Sequence, residues 1–199
     1  MGMTFGIFHV YKGHIDQVNA AFEGKHIVVQ ASAEWITVAD EFEGDESIKA
    51  ARSLSKQIPK PVLHFFYFDD DIISMELFQN GKTMAACGMD YSGQMQMRKI
   101  GMFVSLLDLE ASQEKRLRTI LHCENLDLKV ALLEELFGVT LYIDVEQLRE
   151  EGISCAKGRD DKKYLEYIDS VYTSYATTSN HMKMHLTYRE ARKESVCFA

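Results

Sequence analysis

The chain has no Gly-rich phosphate loop, no dinucleotide fingerprint and no G-x-S-x-G elbow, which disfavours nucleotide enzymes and serine hydrolases of those types. Cys87, Cys123, Cys155 and Cys197 stand far apart with no C-x-x-C pair. That spacing argues against a zinc site and fits reduced thiols better than a disulfide frame. Neither Cys87 nor Cys123 has the basic, helix-start surroundings of an activated thiolate, so burial is expected. Positive charge is also short: 22 Lys and Arg against 30 Asp and Glu leave a net charge of −8, with a pI near 5.4. Nucleic acid is therefore not an expected partner, because binding it is mostly phosphate neutralisation by Lys and Arg. The balance favours solubility or a basic partner. The stretch MGMTFGIFHVYKG has no cation before Lys12 and no long apolar run, so neither a signal peptide nor a membrane span is expected. Gly6 stands where a myristoylation site carries Ser or Thr, and Cys197 is one place short of a prenylation box. These absences together point to a cytoplasmic protein.

What is present is an ordinary globular composition: 199 residues, 46% hydrophobic, enough for one full core or two small ones. The chain is organised around PVLHFFYFDDDIISMELFQNGKTMAACG, Pro61–Gly88. Val62–Phe68 is apolar at nearly every position, too short for a typical helix, and reads as a strand covered on both faces. Ile72–Gln79 alternates, with Ile73, Met75 and Leu77 on one side and Ile72, Ser74, Glu76 and Phe78 on the other. Asn80-Gly81 supplies the positive φ values of a two-residue hairpin, and Lys82–Cys87 returns alongside.

Before this meander, Met3–Tyr11 reads as a strand and His14–Phe22 as a short amphipathic helix with Gly24 just past its end. Two β-rich bursts, HIVVQ and EWITVAD within Lys25–Asp40, read as two strands or one bent hairpin around Ala31–Ala33. Ser47–Ile58 has a helical stripe that must end before Pro59. After the meander, Met89–Ser105 has little periodicity and reads as a connecting loop whose methionines fill irregular gaps. Ser112–His122 forms a helix with Leu117, Ile120 and Leu121 as its stripe. Asn125 caps a second helix that Gly138 stops. Val139–Ile143 is short and β-rich, and Val145–Glu151 is a charged helical turn. From Ser154 the tail carries Tyr164, Tyr167, Tyr172 and Tyr175 at helical spacing, while HMKMHLTY alternates like a strand.

The expectation is an α+β fold: a mainly antiparallel sheet with helices on one face, followed by a helical C-terminal extension. Residues 1–105 form the sheet module and 106–199 the extension packed on it, with the tail from about Ser154 as an interaction element.

One resemblance runs through these motifs. Trp35-Ile36-Thr37-Val38, Leu54-Ser55, Pro61-Val62-Leu63, Asp69-Asp70-Asp71-Ile72 and Leu77-Phe78 with Asn80-Gly81 resemble an ordered series in a bacterial family. Its members carry a tryptophan- or phenylalanine-valine strand, LS, PVL or PAL, HDSD and LYxxG. ALLEELFGV at Ala131–Val139 is similar to the family's EALxxLLGL. The likeness covers about Met1–Gly152; Phe68 replaces a frequent His, and CGMDYSGQM replaces YNSxPGYF. No activity is attached to that family. The resemblance implies a bacterial cytoplasmic origin and the α+β fold.

Several residues are candidates for chemistry. Asp69, Asp70 and Asp71 place three carboxylates in one turn, where a hard cation such as Mg²⁺ or Ca²⁺ could bind, with Glu76 as an extra ligand if the turn folds back. The bland reading is a wet acidic turn whose acids bond their own backbone. His64, on the strand side shared with Val62, Phe66 and Phe68, could act as a base, but such a residue is more often a core histidine satisfied by one hydrogen bond. His181 and His185 share a face only if they lie on a helix; a strand separates them by roughly 13 Å. HMKMH lacks the glutamate of HExxH, so no metalloprotease is implied. The tyrosines Tyr164, Tyr167, Tyr172 and Tyr175 suit an interaction face. The balance favours a non-enzymatic protein-interaction or regulatory module that engages a protein partner or its own copy, with no cofactor, nucleic acid or membrane. The alternative is a metal-dependent hydrolase using Asp69, Asp70 and Asp71 with His64.

Overall fold

A computed structural model describes residues 4–22, 26–39, 45–69, 72–89, 92, 94–143 and 145. In chain order the elements are β1 (Thr4–Tyr11), α1 (Ile15–Phe22), β2 (Ile27–Gln30), β3 (Trp35–Ala39) and α2 (Glu46–Gln57). Next come β4 (Val62–Phe68), β5 (Ile72–Gln79), β6 (Lys82–Met89) and β7 (Met95–Arg98), and then α3 (Gly101–Leu106), α4 (Gln113–Leu121) and α5 (Leu126–Phe137). The strands make one 7-stranded sheet in the order β2-β3-β1-β4-β5-β6-β7, with every neighbouring pair antiparallel. The α+β expectation is met.

Strand alternation splits the core into two layers. Phe5, Ile7 and Tyr11 of β1, Leu63, Phe65 and Tyr67 of β4, and Ile73, Met75 and Leu77 of β5 all join one cluster with the apolar faces of α3, α4 and α5. Phe8 and Val10, Val62 and Phe78 turn the other way, under Ile15 and Val18 of α1 and Ala51, Leu54 and Ile58 of the α2 side. The first two helices therefore lie on one face, and the later helices cover the other. The central strand β4 sits between two apolar layers, which is why its sequence is apolar almost throughout.

The punctuation marks act as their chemistry requires. Asn80 (φ 52°) and Gly81 (φ 73°) form the hairpin turn, and the register shifts between Leu77 and Phe78, where Met84 is the extra residue on β6. Asn125 caps α5, its side chain accepting the Leu128 N–H at 2.8 Å, and Gly138 closes that helix in the left-handed region at φ 67°. Trp35 ties the two halves together by donating its indole N–H to the Phe137 carbonyl at 2.9 Å within the core.

Two segments differ from the sequence expectation. Met89–Ser105 is not a plain connecting loop, since β6 runs to Met89 and the segment also supplies β7 and α3. The alternation of MQMR is only four residues long, and α3 starts on Gly101 without a side-chain cap, so neither element announces itself. Val139–Ile143 joins no strand of the sheet. Val139, Leu141 and Ile143 are buried in the α3–α5 layer, and the Leu141 and Tyr142 N–H groups donate to the buried Glu134 carboxylate at 2.7 and 3.0 Å. One side chain thus replaces a partner strand. Glu134→Ala leaves both donors without this acceptor and is expected to cost about 3 kcal/mol; Glu134→Gln, which keeps an acceptor oxygen, costs less. Urea denaturation of the two variants checks the order, and equal losses would remove the acceptor role.

Candidate functional site

Among the ionisable groups that the fold brings into its interior, His9 and His64 lie on neighbouring strands but opposite faces. His9 points with Ile7 and Tyr11 into the α3–α5 layer, and its Nδ1 lies 2.9 Å from the Thr37 hydroxyl of β3, its register partner. Trp35 stands edge-on to the ring at 6.1 Å between centroids. His64 points toward α2, and its Nε2 lies 2.8 Å from Ser47 Oγ in the first turn of that helix. Gly6 makes this approach possible: the position has no Cβ, and Ser47 occupies the space one would fill.

Both rings are closed off from water, His9 at 0% and His64 at 3% exposure. Each has one bonded nitrogen; His9 Nε2 and His64 Nδ1 are buried and have no hydrogen-bond partner. Protonation would create a buried N–H donor with nothing to receive it, so each ring is held neutral. Burial lowers His9 to a pKa of about 3, with the nearby His64 adding a smaller push, and burial lowers His64 to about 4. A neutral His64 beside Ser47 resembles half of a nucleophile pair. Ser47, however, is only 1% exposed, and Glu76, directly across from His64 on β5, accepts from Thr83 Oγ1 at 3.2 Å instead of orienting the ring. The arrangement pins α2 to the sheet.

The Asp turn is elsewhere. Asp69 is exposed and takes a positive φ of 51°, which a short polar side chain tolerates at a tight turn. It follows β4, whereas His64 lies five residues back along an extended strand, about 16 Å away by strand rise. The two do not share an ion. Asp70, Asp71, Tyr164, Tyr167, Tyr172, Tyr175, His181 and His185 lie outside the described residues. Among the described residues no group of three or more His, Cys, Asp or Glu side chains is placed to hold a metal.

No family model, curated protein or solved structure matches the chain. Among the described residues no helix is long and apolar enough to cross a membrane.

The bonded-core reading of His64 was available from its strand side, but its partner was not. Ser47 stands just before the helical stripe that the sequence shows at Ile48, Ala51, Leu54, Ser55 and Ile58, so its own burial and its partner are not written in that pattern. His9, Thr37 and Lys129 were not singled out. Lys129 is buried on α5 near Cys87 and Cys123, and burial lowers its ammonium pKa; burial pushes the Cys87 thiol up to about 12, so it is a protonated core thiol. The only advance signal for Lys129 was its place one residue before Val130 on the packed stripe.

Proposed function

We propose that the chain is a protein-interaction or regulatory module of a bacterial cytoplasm and not an enzyme. The observation that carries this reading is the closure of His64 against Ser47 at 2.8 Å, in a core where it is 3% exposed. A hydrolase built on Asp69, Asp70 and Asp71 needs that imidazole open and beside the turn. Further support comes from the sheet: Phe66, Phe68, Ile72, Ser74 and Gly88 share the α2 side, stand outside the cluster beneath α1 and α2, and are only half-buried. A sheet face of this kind suits a macromolecular contact better than a small-molecule site.

Thermal melts with Mg²⁺, Mn²⁺ and Ca²⁺ test it. No rise in melting temperature is expected; a rise abolished by Asp70→Ala and Asp71→Ala would establish the metal site and turn the reading toward catalysis. The full chain, immobilised, should retain a protein partner or a second copy, and serine in place of Tyr164, Tyr167, Tyr172 and Tyr175 should weaken that retention.

A further inference from the structure

Three described cations stand in ion pairs: Lys12 with Asp108 at 2.7 Å and Glu34 at 3.6 Å, Arg116 with Glu135 at 2.7 Å, and Arg118 with Glu114 at 2.7 Å, whereas Lys99 and Lys115 are exposed without a carboxylate partner among the described residues. On the α2 side Lys49, Arg52, Lys56 and Arg98 are exposed as well, and none has a carboxylate partner among the described residues. Lys49, Arg52 and Lys56 follow the i, i+3, i+7 spacing that lines one stripe of a helix.

The fold gathers them. Arg52 reaches across to β6, where its guanidinium lies 3.5 Å from Thr83 Oγ1 and over the Phe78 ring at 5.3 Å. Ser55 accepts the Gly81 N–H at 3.0 Å, which draws the β5–β6 turn against the C-terminal end of α2; Lys56 lies beside Gly81. Beyond β6, Arg98 stands opposite Ala86, and Ala86 opposite Glu76, so Arg98 belongs to the same sheet face. The result is a strip with Ala86 and Gly88 as a low floor, α2 cations on one bank and Arg98 on the other. Glu76, bonded to Thr83, is the acid within it.

We propose that this strip docks an acidic peptide segment of a partner protein. The inference rests on the interaction-module reading and names the chemistry of the partner. In a chain of net charge −8, the strip gathers four exposed cations, Lys49, Arg52, Lys56 and Arg98, around Glu76, with Asp45 and Glu46 one turn before Lys49. At physiological ionic strength the screening length is about 8 Å, so an acidic segment lying on the strip feels these cations more strongly than the acids beyond that distance. Low side chains in the floor leave room for an extended backbone, and the Arg52 guanidinium over Phe78 presents a planar donor to carboxylates.

The test is fluorescence anisotropy of a labelled dodecapeptide alternating glutamate and leucine, added to the full chain. Binding that weakens about tenfold or more from 20 to 200 mM salt is expected. Lys49→Gln, Arg52→Gln and Lys56→Gln combined should abolish it, and Arg98→Gln should weaken it. Lys115→Gln, on exposed α4, should leave it unchanged, and circular dichroism confirms that each variant is folded. Absence of binding, binding untouched by the combined variant, or tighter binding of single-stranded DNA of equal charge would each overturn the proposal. A cellular partner that the combined variant retains in full would also overturn it, while leaving the interaction-module reading intact.

Discussion

Lowering the pH from 7 to 4.5 is expected to remove on the order of 5 kcal/mol of folding stability, about half through each buried histidine. In the unfolded chain a histidine titrates near 6.5; in the fold His9 is lowered to about 3 and His64 to about 4, both mainly by burial. Between those values the unfolded state binds protons that the folded state refuses. The stabilisation is therefore fully present above pH 6.5 and is lost as pH falls, at about 1.4 kcal/mol per pH unit for each ring. The His64 contribution stops changing near pH 4, and that of His9 continues to about pH 3. A loss of this size rivals the whole stability of many domains, so acid unfolding should begin well above the ordinary carboxylate range. Urea denaturation at a series of pH values measures the slope. His64→Gln should remove about half of it and His9→Gln the other half, whereas a midpoint that stays level from pH 7 to pH 5 would show that the rings are not held neutral by burial.

Much of this fold is legible in local sequence, and the parts that are not have a common cause. The β4–β6 meander reads correctly because Pro61, the aspartates and Asn80-Gly81 mark its ends, and because Ile73, Met75 and Leu77 alternate over a full strand. Helix α5 reads correctly because Asn125 and Gly138 cap it at both ends. By contrast, β7 exists because β6 offers an unpaired edge to four residues with weak strand preference, and pairing is a property of two segments together. Val139–Ile143 shows the converse: β-rich residues take no strand partner because Glu134, from α5, satisfies the backbone first. The candidate site follows the same rule. The strand side of His64 is written in its alternation, but Ser47, 17 residues away, meets it only once α2 has settled over Gly6.

That settling makes Gly6 the position where a single methyl group should report on the whole α2 layer. A Cβ there would stand 2.7 Å from the Ser47 Cβ and would overlap Ser47 Oγ, which has no freedom to retreat because it is bonded to His64. In an open strand, glycine to alanine gains about 0.4–1 kcal/mol by restricting the unfolded chain. Here the overpacking term, about 1–3 kcal/mol, exceeds that gain, and Gly6→Ala should be destabilising. Ser47→Gly removes the obstructing atoms; alone it costs up to about 1 kcal/mol of helix propensity plus the lost partner of a buried ring, about 1–3 kcal/mol. Combined, the two substitutions should be better tolerated than their sum by more than about 1 kcal/mol, because the new methyl group occupies the space that Ser47 vacates. Denaturation of the two single variants and the double variant closes the cycle. Strict additivity, or a Gly6→Ala protein as stable as the parent, would mean that α2 does not rest on β1 at this contact.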